Sequence, residues 1–123
     1  IELIKANAAK FNVHNLTVIE AKAPEGMADL PPLDAIIIGG SAGGMGAILD
    51  ASERLLKDGG RLVVTAVTME TGHTILKELK GRPFSYEGFQ MQVVRFRKAG
   101  PYHLLNPLSP IFIVTAVKQP QEV

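Results

Sequence analysis

The stretch from Asp34 to Gly44 constrains the fold more than any other part of the chain. Ala35 is followed by three isoleucines, Ile36 to Ile38, and then by Gly39, Gly40, Gly43 and Gly44 around Ser41 and Ala42. A short apolar run rich in β-branched residues predicts a strand buried on both faces, as parallel strands are. Met45, Ile48, Leu49, Ser52, Leu55 and Leu56 then recur at helical spacing, and Asp58-Gly59-Gly60 predicts where that helix stops. Strand, glycine loop and helix make the βα unit of an open α/β sheet. Such sheets bind ligands beyond the carboxyl ends of their strands, where glycines let backbone come close.

Composition narrows the class. A chain of 123 residues holds one domain with a real core, and 46% hydrophobic with 20% charged residues excludes disorder. No apolar run approaches the ~18 residues a membrane helix needs. Net charge is +1 with both signs interspersed, so no footprint for nucleic acid or an anionic membrane is expected. The absence of cysteine excludes disulfides, thiolate nucleophiles and Cys-based metal sites, and fits a cytoplasmic protein. The chain begins with Ile1, inside an amphipathic pattern of Ile1, Ile4, Ala8 and Phe11 that lacks an N-cap. The expectation is therefore that residue 1 is an artificial or proteolytic start within a longer protein.

Taken in order, the pattern predicts a first helix to about Phe11, closed at Asn12, and a short strand over Leu16 to Glu20. Pro24, with Pro31-Pro32 downstream, allows one helical turn over Pro24 to Asp29. After the βα unit, Arg61 to Val67 read as a strand. Thr68 reads as the N-cap of a helix over Met69 to Lys80, with Glu70 in its first turn, Lys77 and Lys80 in its last, and Gly81 and Pro83 beyond. Tyr86 to Arg97 read as one long strand, Lys98 to Asn106 as a long loop, and Ile111 to Val117 as a closing strand. Two βα units followed by an antiparallel hairpin make a mixed sheet.

Most site motifs fail on the glycine loop. The dinucleotide pattern G-x-G-x-x-G breaks at Leu49, and the phosphate-loop pattern has Met45 where Lys is required. Gly39-x-Ser41-x-Gly43 matches the nucleophile elbow of serine hydrolases, with Ser41 as nucleophile and His73 or His103 as base. Against it stand the short chain, the lack of an upstream oxyanion-hole segment, and the plainer role of Ser41 as a helix cap. Glu70 and His73 share a helix face, but two residues do not make a metal site, so no metal is expected. His14 follows a helix end and reads as solvated.

The order of segments resembles the C-terminal two-thirds of a class I S-adenosylmethionine-dependent methyltransferase. Within that superfamily, Val18 to Glu25, Ala35 to Ser41, Gly60 to Thr71, and Leu105-Asn106-Pro107 ahead of Ile111 to Ile113 resemble one family in particular. It comprises the C-terminal domain of precorrin-6Y C5,15-methyltransferase and its stand-alone cobalt-precorrin C15-methyltransferase homologues. The resemblance implies a Rossmann-like three-layer α/β sandwich with a C-terminal antiparallel hairpin. It also implies one partial domain over 1–123 that lacks the first two strands. Those strands carry the glycine-rich turn and the acidic residue that hold most of the cofactor, so the chain alone is expected to bind S-adenosylmethionine poorly and to be inactive. The strand at Leu16 to Glu20 must then pair within the chain or in a homo-oligomer.

Residue by residue, Ala21, Lys22 and Ala23 correspond to the adenine-side segment, with Lys22 at a position where the family often has an acid. Gly39, Gly40 and Ser41 match the loop that passes the sulfonium and faces the substrate. Thr65, Thr68 and Glu70 match a strand-end segment beside the pocket. Lys98, Tyr102 and His103 are implied contacts to an acidic tetrapyrrole, with Arg95 and Arg97 as further cations or as a solvated strand edge. The implied activity is C-methylation of a precorrin with decarboxylation of a ring acetate, in cobalamin biosynthesis. No catalytic base is singled out. Open alternatives are a class I methyltransferase of RNA or protein, a serine hydrolase using Ser41, and an inert folding or association module.

Overall fold

The computed structural model describes residues 1–40 and 43–121. The chain divides into two compact units, Ile1–Leu30 and Pro31–Val123. In the first, helix α1 (Glu2–Lys10) forms as expected. Asn12 closes it at φ 56°, the left-handed conformation Asn tolerates. The strand expected over Leu16 to Glu20 is not formed. These residues run without a ladder partner among the described residues, and a strand exists only through such a partner. The helical turn expected over Pro24 to Asp29 is replaced by tight turns. Met27 N–H donates to Pro24 O and Leu30 N–H to Met27 O, both at 3.1 Å, while Gly26 at φ 82° departs from right-handed backbone.

The second unit runs β1 (Leu33–Ile38), α2 (Met45–Leu55), β2 (Leu56–Ala66), α3 (Met69–Lys80), β3 (Phe84–Met91), β4 (Val94–Ala99), β5 (Tyr102–Pro107) and β6 (Ile111–Lys118). Four strands form one sheet in the order β1-β2-β6-β3. β1 and β2 are parallel, and β6 is antiparallel to both β2 and β3. The sheet is therefore mixed. Strand alternation puts Leu62, Val64 and Ala66 on one face beside Val114 and Ala116, where they pack with Met45 and Leu49 of α2 and Ile75 and Leu79 of α3. Among the described residues, β1 and β3 are the two edge strands of this sheet. Ile37 is 77% exposed while Ile36 and Ile38 pack on the core, so burial of β1 on both faces is corrected to burial on one.

Two cations fix the ends of the helices. α2 stops at Leu55, short of the expected Asp58, because β2 begins at once. Its pairing with β1 jumps from Leu33↔Leu56 to Ala35↔Arg61, leaving Lys57 to Gly60 as an irregularity with Gly59 at φ 81°. Lys118 Nζ donates to the carbonyls of Glu53 and, at 2.7 Å, Leu56, satisfying acceptors that a helix end leaves open. Arg82, just past α3, reaches Asp50 at 2.7 Å, Glu53 at 3.0 Å and Glu78 at 3.1 Å, tying α3 to α2. Burial alone would lower its pKa, but its hydrogen bonds to Asp50, Glu78 and Glu53 outweigh this and raise it.

The single strand expected over Tyr86 to Arg97 is two. β3 ends at Met91, and β4 leaves the main sheet to pair with β5. The long loop expected over Lys98 to Asn106 is thus an ordered hairpin whose strands join at Gly100-Pro101. Gly100 takes φ 59° at the first central position and proline supplies the negative φ of the second, the sign pattern of a type II′ turn.

Candidate functional site

The carboxyl ends of β1 and β2 lie side by side, with Ile38 opposite Val64 as the last pair. Beyond β1, Gly40 adopts φ 64°, and a Cβ placed there would meet nothing within 4 Å among the described residues. A Cβ at Gly39 would come 4.0 Å from the Thr65 hydroxyl. Gly39, Gly40 and Thr65 are thereby brought together, with main chain a ligand can approach closely. Ser41 lies outside the described residues.

Thr68 follows at the start of α3. Its side chain accepts from Thr71 N–H at 3.1 Å and donates to the Thr71 hydroxyl at 2.9 Å, so its hydroxyl serves the helix as the cap it was expected to be. Glu70 is exposed in the first turn, and His73 is exposed on the same helix. Among the described residues, no three His, Cys, Asp or Glu side chains converge on a possible metal position.

β3 is antiparallel to β6, and so is β2, so the end of β3 at Met91 lies at the same edge of the sheet as the ends of β1 and β2. The β4–β5 hairpin departs from that edge and returns to it, its base closed by the Leu108 N–H bond to Val93 O at 2.9 Å. Lys98 and His103 are cross-strand partners near its tip, and the next pair is Ala99 with Tyr102. Alternation sets Lys98 and His103 on one face beside Phe96, whose ring meets the imidazole edge-on at 6.0 Å, and Tyr102 on the other with Arg95 and Arg97. The expected tetrapyrrole contacts are therefore divided between two faces of an exposed ribbon. Ala21, Lys22 and Ala23 belong to the first unit, where Lys22 is exposed.

Residues 1–118 match the precorrin methyltransferase domain family. The chain belongs to this family. A probable cobalt-precorrin-6B C(15)-methyltransferase (decarboxylating) of Sulfurisphaera tokodaii is 33% identical over 119 residues, which cover 96% of this chain and 62% of that protein. Among solved structures, precorrin-6Y C5,15-methyltransferase from Geobacter metallireducens superimposes with a TM-score of 0.86 at 36% identity, covering 96% of this chain and 61% of that one. The precorrin 8W decarboxylase of Methanobacterium thermoautotrophicum gives 0.84 at 25% identity, over 93% of this chain and 62% of that one. The chain thus spans about three-fifths of the length of the curated relatives it matches, 62%, 60% and 58% of the first three. Its mixed α/β sheet is that of the class I methyltransferases, as the resemblance implied.

The residues fit the cofactor of a methyltransferase in part. Open, left-handed glycine backbone at the end of β1 suits a ligand that passes close to main chain. Lys22 does not suit the adenine amino group, because an ammonium donates and cannot accept. Val67 and Met69, either side of Thr68, are 70% and 81% exposed. They were not singled out by sequence, since no motif marks an exposed apolar side chain.

Proposed function

We propose that this chain is part of an S-adenosylmethionine-dependent methyltransferase that methylates a carbon of a precorrin and decarboxylates a ring acetate, in cobalamin biosynthesis. The observation that carries the reading is the family match along 1–118, joined to relatives at about one-third identity whose names state that chemistry. It favours methyl transfer over the hydrolase reading of Ser41. When bound, the cofactor supplies a methyl group already activated on a sulfonium. The protein's task is then alignment, which is worth ~7–11 kcal/mol when two reactants are held in line.

In this reading, Gly39 and Gly40 pass the cofactor closely, and Ala21 and Ala23 offer backbone groups to its adenine. Thr65 and Glu70 face the substrate beyond the strand ends, Thr68 holds the turn between them, and Ser41 is a further substrate contact. Lys98, His103 and Tyr102, with Arg95 and Arg97, meet ring carboxylates through charge-assisted bonds. The chain spans about three-fifths of its relatives' length, and in this reading the glycine-rich turn that holds most of the cofactor, with two further strands, belongs to the part of the family domain that residues 1–123 do not include; the assembled enzyme is a homo-oligomer. Calorimetry with S-adenosylmethionine tests the division. An upstream-extended chain binds it and transfers its methyl group to a precorrin, whereas residues 1–123 alone bind weakly. Tight binding by the short chain removes the upstream assignment, and an extended chain that binds the cofactor but leaves the precorrin unmodified removes the substrate assignment.

A further inference from the structure

Val67 and Met69 are large apolar side chains left exposed, 70% and 81%, on either side of Thr68. Met69 is the most exposed of the large hydrophobic residues described, at 81%, and stands at the first position of α3, where acidic and polar groups are favoured instead. The turn that carries them is tied to α3: Thr68 between them makes two hydrogen bonds to Thr71, and a Cβ placed at Gly72 would come 3.8 Å from the Phe112 ring. The pair is thus presented at the edge of the sheet where Gly39, Gly40 and Thr65 also lie.

Charge says which part of a ligand such a turn suits. A precorrin offers an apolar macrocycle with N–H groups at its centre and carboxylates around its rim. The segment Val67 to Glu70 carries two apolar groups, a hydroxyl already engaged in capping and one carboxylate, and has no cation, so it repels the rim and suits the ring. The cations of this unit's hairpin, Arg95, Arg97 and Lys98, lie on the ribbon that leaves the same edge. We infer that Val67 and Met69 pack against the face of the tetrapyrrole and are specificity-determining contacts of the proposed reaction, an inference that rests on the precorrin reading above.

Titrations of the whole protein with uroporphyrin, rich in carboxylates, and coproporphyrin, which carries fewer, followed by ligand fluorescence, test it. The unsubstituted protein binds both. Met69→Gln weakens both by about tenfold, the scale of one buried apolar side chain, and adding Val67→Thr weakens both further, each by the same factor at low and high salt. Leu76→Gln, an exposed position further along α3, leaves both unchanged, and Met69→Leu retains affinity because only apolar contact is required. Undiminished binding by the Val67→Thr/Met69→Gln protein overturns the inference and leaves the precorrin reading standing. A loss that Met69→Leu shares overturns it as well, since position rather than apolar character then matters. If the unsubstituted protein binds neither porphyrin, the inference falls together with the tetrapyrrole assignment.

Discussion

Helices α1 and α3 are written in similar terms and end in different circumstances. Each has an acid in its first turn and lysine in its last: Glu2 and Lys10 in α1, Glu70 with Lys77 and Lys80 in α3. Both therefore complement the helix dipole. Yet α1 has no buried residue, and its apolar face stays open, with Ile4 47% and Phe11 69% exposed. α3 buries Ile75 and Leu79 completely and has a side-chain cap that α1 lacks. The difference separates what forms a helix from what holds it. A helix of 9 residues without burial is marginal in water, whereas α3 is part of a shared core.

The widest gap should appear on truncating apolar side chains. Leu79→Ala removes a fully buried side chain and should cost about 2–5 kcal/mol in denaturant unfolding. Ile4→Ala in the first unit should cost less than about 0.5 kcal/mol. Equal costs would break the comparison and show that α1 is covered in solution. Next comes Arg82→Gln, at roughly 1–3 kcal/mol, because it strips Asp50, Glu53 and Glu78 of their shared cation. The pKa of Arg82 is raised in the folded state, so its contribution is complete below the unfolded guanidinium value and is lost only as pH rises through the still higher folded value. The stability difference between the unsubstituted protein and the Arg82→Gln variant should consequently be the same at pH 7 and pH 9. A fall between them would mean that the ion pairs are not what the arginine contributes.

The same contrast explains what the sequence revealed. α3 was legible to its ends, Met69 and Lys80, because every signal is local: Thr68 as cap, charges in both end turns, Gly81 and Pro83 beyond. The segment Leu16 to Glu20 has the residues of a strand, but pairing is a property of two segments and cannot be read from one. The hairpin was missed for a related reason. Alternation from Phe89 to Arg97 changes phase at Val93-Val94, the one local trace of the corner, but no Gly or Pro marks it, while the adjacent Leu104 and Leu105 hide the second strand. At the site, the neighbourhood of Gly39 and Thr65 was legible because parallel strands align their carboxyl ends. Away from the site, the Arg82 cluster was not legible, since two of its three acids, Asp50 and Glu53, lie on a helix far from it in sequence.

Capping offers a smaller and cleaner probe. Thr68→Ala removes the acceptor for Thr71 N–H and should cost about 1 kcal/mol, while Thr68→Ser should retain most of it. No substitution at Ile1 can lose a side-chain cap, because none is present. Hydrogen exchange of the first-turn amides should therefore accelerate in the Thr68→Ala protein and leave α1 as it was. Faster exchange in both would couple the two helices and blunt the contrast drawn between them.

The smallest effect is expected where the second unit most resembles the first in exposure. Lys57 Nζ lies 3.0 Å from Asp34 Oδ1, joining the β2 irregularity to the start of β1, but the two side chains are 55% and 88% exposed. A pair in that setting gains little, since water screens the attraction and both chains lose freedom in making it. Asp34→Asn should change stability by no more than about 0.5 kcal/mol, and that change should vanish at high salt, where exposed charges are screened within a few ångströms. A larger, salt-independent loss would show that the pair holds the register jump between Leu33 and Ala35 in place. The β1 edge of the sheet would then be held by charge at Asp34 as well as by the packing of Leu33, Ile36 and Ile38 on the core.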